Sequence, residues 1–193
     1  MALTHRIRQM ILPAFLAALS ITLISSAATS QTRNSRHCDP AGPATQFGQT
    51  YVCVSSHLAP QAGNNYHAAM SYDGDPATAW VEGASNSGIG EWIELVFERE
   101  MRVQTIELIA GYAKNQRIFF ANARPAAVQV LADGVPIDVF YLTDSMGFQT
   151  LRLDRPIDTT RLRLLVVDAR NGARWSDLGI SEIYADLEEH AFR

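Results

Sequence analysis

The chain has 193 residues, 47% of them hydrophobic and 19% charged, with a formal charge of −4. That composition excludes intrinsic disorder, and 12 glycines and 8 prolines without a repeat exclude a collagen-like or low-complexity chain. The acidic balance provides no global positive field for a phosphate backbone, so nucleic acid is set aside as a partner, and the length suits one domain.

His5, Arg6 and Arg8 give the chain a short cationic start, and an apolar run follows from Met10 to Ile24. About 15 residues are too few for a bilayer span, which takes about 20. Ser26, Ala27 and Ala28 come next, completing the order of a secretory signal peptide. Residues 1–28 are therefore expected to be cleaved after Ala28, leaving a secreted or periplasmic protein with no stable membrane insertion. An uncleaved N-terminal anchor is the rival reading. Cleavage would leave 14 basic against 20 acidic residues, with Lys114 the only lysine.

Residues 29–48 are polar, lack periodicity and read as a leader segment. Cys38 and Cys53, the only two cysteines, lie fifteen apart in an exported chain and most simply form one disulfide, which on the loop-entropy model stabilises by about 3 kcal/mol. A redox or metal thiol pair is the alternative, although no CxxC spacing supports it.

The folded domain is expected over residues 49–187, followed by a tail at 188–193. Short segments rich in Val, Ile, Leu and Phe, punctuated by turns, predict strands at Tyr51 to Val54, Glu91 to Phe97, Val103 to Ala110 and Ala127 to Ala132. Further strands are predicted at Ile137 to Leu142, Gln149 to Leu153, Arg161 to Val167 and Ile180 to Ala185. Ile93, Leu95 and Phe97 share one face against Trp92 and Glu94, and Leu162, Leu164 and Val166 oppose Arg161 and Arg163. Asp133-Gly134 reads as a hairpin turn and Arg155-Pro156 as a strand end. No segment of ten or more residues carries a helical stripe. The fold class is all-β, a two-sheet antiparallel β-sandwich with jelly-roll topology.

The stretch Tyr72-Asp73-Gly74-Asp75-Pro76-Ala77-Thr78-Ala79-Trp80 has two readings. Its carboxylates and hydroxyl can curl around a hard cation such as Ca²⁺, which takes six to eight oxygens. Alternatively, Asp73 and Asp75 simply cap the amides of a turn.

The order of motifs resembles the discoidin, or coagulation factor five/eight type C, family of galactose-binding-like jelly rolls. Ser55-Ser56-His57-Leu58, Asn64-Asn65-Tyr66, Asp73 to Trp80, Glu91-Trp92-Ile93-Glu94-Leu95, Trp175-Ser176-Asp177 and Ile180-Ser181-Glu182-Ile183 carry the likeness, over roughly residues 50 to 186. Trp80-Val81-Glu82-Gly83, Gly88-Ile89-Gly90-Glu91-Trp92 and Gly111-Tyr112-Ala113-Lys114 resemble the bacterial branch found as the translocation domain of NAD glycohydrolase toxins. The resemblance implies a structural Ca²⁺ held by Asp73, Asp75, Thr78 and Glu182. It also implies recognition through loops at one end of the sandwich, here Tyr66 and His67, the stretch from Tyr112 to Asn122, and Arg174-Trp175. Within and beside these loops, Tyr66, Tyr112, Asn115, Arg117, Asn122, Arg124 and Trp175 are the ligand-binding candidates, since aromatic faces beside amide and guanidinium donors suit a sugar ring. Each has the alternative of being a solvated loop residue. Trp80 and Trp92 are expected in the core, and Phe119 and Phe120 can fold back onto it.

No GxSxG elbow or HExxH motif is present. Ser181, Glu182 and Asp177 with His57, His67 or His190 form a triad only on paper, as Glu82 and Glu91 form a glycosidase pair. The expectation is an exported, non-catalytic module that recognises a carbohydrate or other cell-surface component. The alternative is a structural or protein–protein interaction domain that docks on an envelope or toxin partner without binding sugar.

Overall fold

The computed structural model describes residues 37–188. The expected signal peptide, the leader up to residue 36 and the end of the expected tail lie outside that range. Its strands are β1 (His37–Pro40), β2 (Thr50–Val54), β3 (Trp80–Val81), β4 (Trp92–Ile109), β5 (Arg124–Ala132), β6 (Val135–Tyr141), β7 (Gln149–Arg170), β8 (Gly179–Ile180) and β9 (Glu182–Glu188). A 3₁₀ turn at Ala68–Ser71 and one helix, α1 (Gln116–Ala121), complete the described elements.

The expected jelly-roll sandwich forms, and two long strands supply both of its layers. In β4, residues 93–97 pair with β2 and residues 92–96 with residues 161–165 of β7, whereas residues 101–108 pair with residues 149–159 of β7 and residues 102–109 with β9. Register shifts fall between Val96 and Met101 and between Val103 and Thr105. Such irregularities bend a strand. The larger layer therefore runs β1-β2-β4-β7-β5-β6, and the smaller one holds β9 and the other halves of β4 and β7. β3 and β8 form a separate two-stranded ladder.

Alternation decides what is buried. Ile93, Leu95 and Phe97 on β4 and Leu162, Leu164 and Val166 on β7 point inward as expected, meeting Ile106, Leu108, Leu151, Leu153 and Ile183 in one core cluster. Burial of each such side chain contributes about 1.5–3 kcal/mol; truncating Leu95 to alanine would cost about 2–5 kcal/mol. At the expected Asp133-Gly134 turn both residues have positive φ, 47° and 85°, the mirror-image turn that matches strand twist.

Five expectations change. The predicted pairs Glu91 to Phe97 with Val103 to Ala110, and Gln149 to Leu153 with Arg161 to Val167, are single strands. Pro156 does not end β7, because it lies in the irregular stretch between the pairings of Arg152 and Ile157, where the ladder asks no N–H of it. The predicted strand Ile180 to Ala185 is instead divided at Ser181 into β8 and β9. The folded sheet begins at His37, inside the expected leader, since β1 pairs with β2 and the Cys38–Cys53 disulfide joins directly opposed residues. Finally, Trp80 is fully buried, but Trp92 is not in the core. It belongs to the outer set of its strand, where the Arg163 guanidinium stacks 4.0 Å from its ring.

Candidate functional site

The loops at one end of the sandwich enclose a cleft of about 610 Å³, within the range typical of small-ligand sites. α1 forms one wall. Asn115 is its N-cap, with Oδ1 accepting from the Ile118 N–H at 3.0 Å, and the Asn122 N–H closes it by donating to the Ile118 carbonyl. The carbonyls of Phe120 and Ala121 then receive the backbone N–H groups of Ala173, Arg174 and Trp175. This docking carries the Trp175 indole to the cleft. Gly172 permits it, because a Cβ there would come within 2.2 Å of the Trp175 carbonyl oxygen and 2.4 Å of that of Ala121.

Six of the seven ligand-binding candidates line this cleft: Tyr66, Tyr112, Asn115, Arg117, Asn122 and Trp175. Tyr66 and Tyr112 form its floor, edge to face with centroids 6.2 Å apart, in a satellite cluster with Ala79, Val81, Leu58 and Ile118. Trp175 remains 37% exposed, so its ring is open to a ligand. Gln61, Asn64, Lys114 and Asp177 complete the polar part of the lining, with Ala62 beside them, and were not among the candidates. Asn64, Lys114 and Asp177 did stand in the motifs Asn64-Asn65-Tyr66, Gly111-Tyr112-Ala113-Lys114 and Trp175-Ser176-Asp177, whereas Gln61 and Ala62 carried no signal. The tight turn at Ala62-Gly63, with φ of 50° and 78°, gives no signature in its alanine.

Arg124 departs from the set. It is 5% exposed, holds Asp144 through Nε–Oδ1 at 2.7 Å and Nη2–Oδ2 at 3.1 Å, and donates from Nη1 to the Asn122 carbonyl at 2.8 Å. Its guanidinium also lies over the Phe119 and Phe120 rings, each at 5.2 Å. These bonds hold the Asp144 carboxyl below the usual carboxylate range. Arg124 is absent from the cleft lining and serves the framework behind α1. Phe119 folds into the interior, while Phe120 is 40% exposed.

The acidic loop shows an unusual convergence of oxygens. The Thr78 hydroxyl oxygen lies 3.1 Å from the Met70 carbonyl, 2.8 and 3.0 Å from the two Asp73 carboxylate oxygens and 2.9 Å from the Asp75 carbonyl. A hydroxyl has one proton to donate, so it cannot satisfy four acceptors. Nearby, the Tyr184 hydroxyl donates to Glu182 Oε2 at 2.6 Å, but Glu182 Oε1 is buried with no hydrogen-bond partner among the described residues. Burial, then the Asp73 and Asp75 charges, push the Glu182 carboxyl above its ordinary range. Crowded oxygens and an orphaned carboxylate atom are what a hard cation resolves, and the donor set of carboxylates, hydroxyl and carbonyls fits one. Asp73 and Asp75 also accept the Asp75 and Ala77 N–H groups, as the turn reading expects. Among the described residues no group of three or more His, Cys, Asp or Glu side chains stands in metal-ligand geometry.

Ser181 joins this loop to the cleft. Its hydroxyl lies 2.7 Å from the Thr78 carbonyl and 3.0 Å from that of Pro76, and it accepts the Ala113 N–H at 2.9 Å. No histidine is among its partners. His57 contacts the Leu58 carbonyl and His67 contacts Asp39, so neither completes the triad drawn on paper; His190 lies outside the described residues. Glu82 is fully buried and accepts from the Ala84 and Leu178 N–H groups, and Glu91 accepts from Ser55 and Ser56.

A two-layer jelly roll with a loop-end cleft is the architecture of galactose-binding-like domains. The chain belongs to the NAD glycohydrolase translocation F5/8 type C domain family, whose model matches residues 45–186. It is similar in fold to the family 32 carbohydrate-binding module of Clostridium perfringens NanJ, solved with galactose, at 15% identity and a TM-score of 0.54 over 70% of this chain and 92% of that one. CpGH89CBM32-5 of the same organism, solved with GalNAc-β-1,3-galactose, gives 17% identity and a TM-score of 0.55 over 70% and 94%. The family 32 module of Streptococcus pneumoniae EndoD gives 15% and 0.53 over 71% and 96%. No protein of curated function matches the chain.

Proposed function

We propose that this protein is an exported, non-catalytic binding module that takes a glycan in the loop-end cleft. The observation that carries this reading is the cleft itself, where an exposed indole stands beside amide and cationic donors above a tyrosine floor. Such a surface stacks on the apolar face of a sugar ring and hydrogen-bonds its hydroxyls. Solved modules of the same fold were crystallised with galactose or a galactose-containing disaccharide, which supports a glycan as the ligand class. A glycan array followed by titration of the hits tests it. Trp175→Ala should weaken binding at least tenfold, equivalent to about 1.4 kcal/mol, with the melting temperature unchanged. Absence of any glycan hit overturns the reading.

In this reading the Asp73, Asp75, Thr78 and Glu182 side chains, with the Met70 and Asp75 carbonyls, hold a Ca²⁺ whose part is structural. An ion bound only by the folded state adds about 2.7 kcal/mol at 100 times its dissociation constant. Chelator should therefore lower the melting temperature of the wild type and leave Asp73→Ala unmoved, whereas a wild type indifferent to calcium would reduce the loop to a capped turn. Export rests on the N-terminal sequence, and the intact mass of exported protein, expected to begin near Thr29, tests it.

A second reading, docking on a protein partner, is favoured by one observation. On the outermost strand β6, Val135, Ile137, Val139 and Tyr141 are 61%, 41%, 40% and 86% exposed. Pro136 and the Asp138 carboxylate, which accepts the Val139 N–H at 2.7 Å, blunt the edge of that strand, so a partner would lie on its face. Tyr141→Asp should abolish such docking without altering glycan titrations.

A further inference from the structure

We propose that the glycan is anionic, bearing a carboxylate or a sulfate, and that Lys114 and Arg117 read its charge. This deepens the glycan reading above and rests on it.

The cleft reverses the charge of its surroundings. The chain is acidic overall, at −4, yet Lys114 and Arg117 line the cleft against the single carboxylate of Asp177. A third cation, Arg174, lies 4.7 Å from the centre of the Trp175 ring. Among the described residues none of the three has a carboxylate partner, whereas Arg102, Arg124, Arg161 and Arg163 each hold one. Lys114 Nζ donates instead to Asn64 Oδ1 at 2.8 Å. A neutral amide fixes the ammonium in place without cancelling its charge. The same lysine lines an adjoining groove of about 280 Å³, shared with Asn64 and Tyr112, so it stands where two hollows meet. Asp75 also lines that groove, and its carboxylate accepts the Ala77 N–H.

These residues divide the work of recognising one charged sugar. Trp175 offers a ring face, and the Asn115 amide nitrogen is free for hydroxyls because that residue spends its oxygen on the Ile118 N–H. Arg117 presents a planar fork that matches a carboxylate or sulfate in two bonds, and Lys114 a compact point charge. A neutral hexose would displace water from both cations and return only hydroxyl contacts, so the cleft discriminates against it.

The test is calorimetric titration of the mature protein, at fixed calcium, with pairs of disaccharides in which one member bears the anionic group. Lactose is compared with sulfated lactose, and galactobiose with digalacturonic acid, at low and at high salt. The charged member of each pair should bind at least tenfold tighter at low salt, and the advantage should shrink at about 0.5 M salt, where screening acts within about 4 Å. The pair that shows it separates sulfate from carboxylate. Lys114→Gln with Arg117→Gln should collapse the charged-to-neutral ratio to within about twofold of unity, while Arg152→Gln, outside the cleft, should keep it. Equal binding of charged and neutral members overturns the proposal and leaves the glycan reading standing, as does a ratio that survives the double variant. No binding of any saccharide overturns both.

Discussion

Replacing Glu82 with glutamine removes a carboxylate that the fold holds in an unfavourable place. The side chain is fully buried, and although two backbone N–H groups point at it, burial first, and the Glu91 and Asp177 charges after it, raise its pKa to about 7 from an ordinary 4.5. The folded state therefore keeps a proton that the unfolded chain has already released. Its contribution is fully present below about pH 4.5 and is lost as pH rises through about 7. At about 1.4 kcal/mol per pH unit, that window is worth about 3 kcal/mol. Glutamine does not titrate, so it forfeits an acceptor at every pH but has no slope of its own. Urea unfolding of both proteins from pH 4 to 8.5, at fixed calcium, reads the difference. The stability of Glu82→Gln relative to wild type should rise by about 3 kcal/mol between the ends of the window, or about 6–12 °C in melting temperature. A difference that stays flat across the series would refute the argument that burial dominates over the two N–H donors.

Three further outcomes are expected. Arg124→Ala should destabilise by about 3–5 kcal/mol, since it strips Asp144 of its partner and empties a buried site beside Phe119; a variant that melts like wild type would return Arg124 to the list of surface residues. Double replacement of Cys38 and Cys53 by alanine should cost about 3 kcal/mol, read in denaturant, because a fifteen-residue closure is lost. Gly172→Ala should weaken any cleft ligand as Trp175→Ala does, because the new methyl group collides with two backbone carbonyls that seat the indole; undiminished binding would show that the 172–175 loop can shift.

How much of this was legible in the chain depends on how local its cause was. Two-residue alternation marked Ile93, Leu95, Leu162 and Leu164 as core, and Asp133-Gly134 marked its own turn, because each signal lies within a few residues. Trp92 went wrong where a general preference for buried tryptophan was set above the alternation of its own strand. α1 escaped because six residues hold too little periodicity, though Asn115 and Asn122 at its ends are the caps that delimit it. The joining of predicted strands into β4 and β7 is a tertiary fact: polar breaks such as Glu98 to Glu100 and Arg155-Pro156 are spanned when the partner strand bends with them. Arg124 was assigned by its neighbours in sequence, yet its partner Asp144 comes from a distant loop that no spacing rule connects to it.

Ser181 shows why the acidic loop and the cleft are best understood as one mechanical unit. Between β8 and β9 the chain turns its serine inward, where the N–H reaches the Ile109 and Gly111 carbonyls and the hydroxyl spans from Ala113 to the Pro76 and Thr78 carbonyls. Tyr112, between Gly111 and Ala113, is thus fixed from both sides, and Lys114 follows directly. Gly111 has φ of 150° and a Phe119 ring atom 2.4 Å from where a Cβ would stand, so this segment cannot relax toward α1. Disorder in the 73–78 turn would reach the cleft floor through the buried Ser181 hydroxyl. A cation in that turn would then stabilise the binding geometry along with the fold, without touching the ligand. On this argument Ser181→Ala should uncouple the two, leaving the turn folded while the cleft loses its rigid floor.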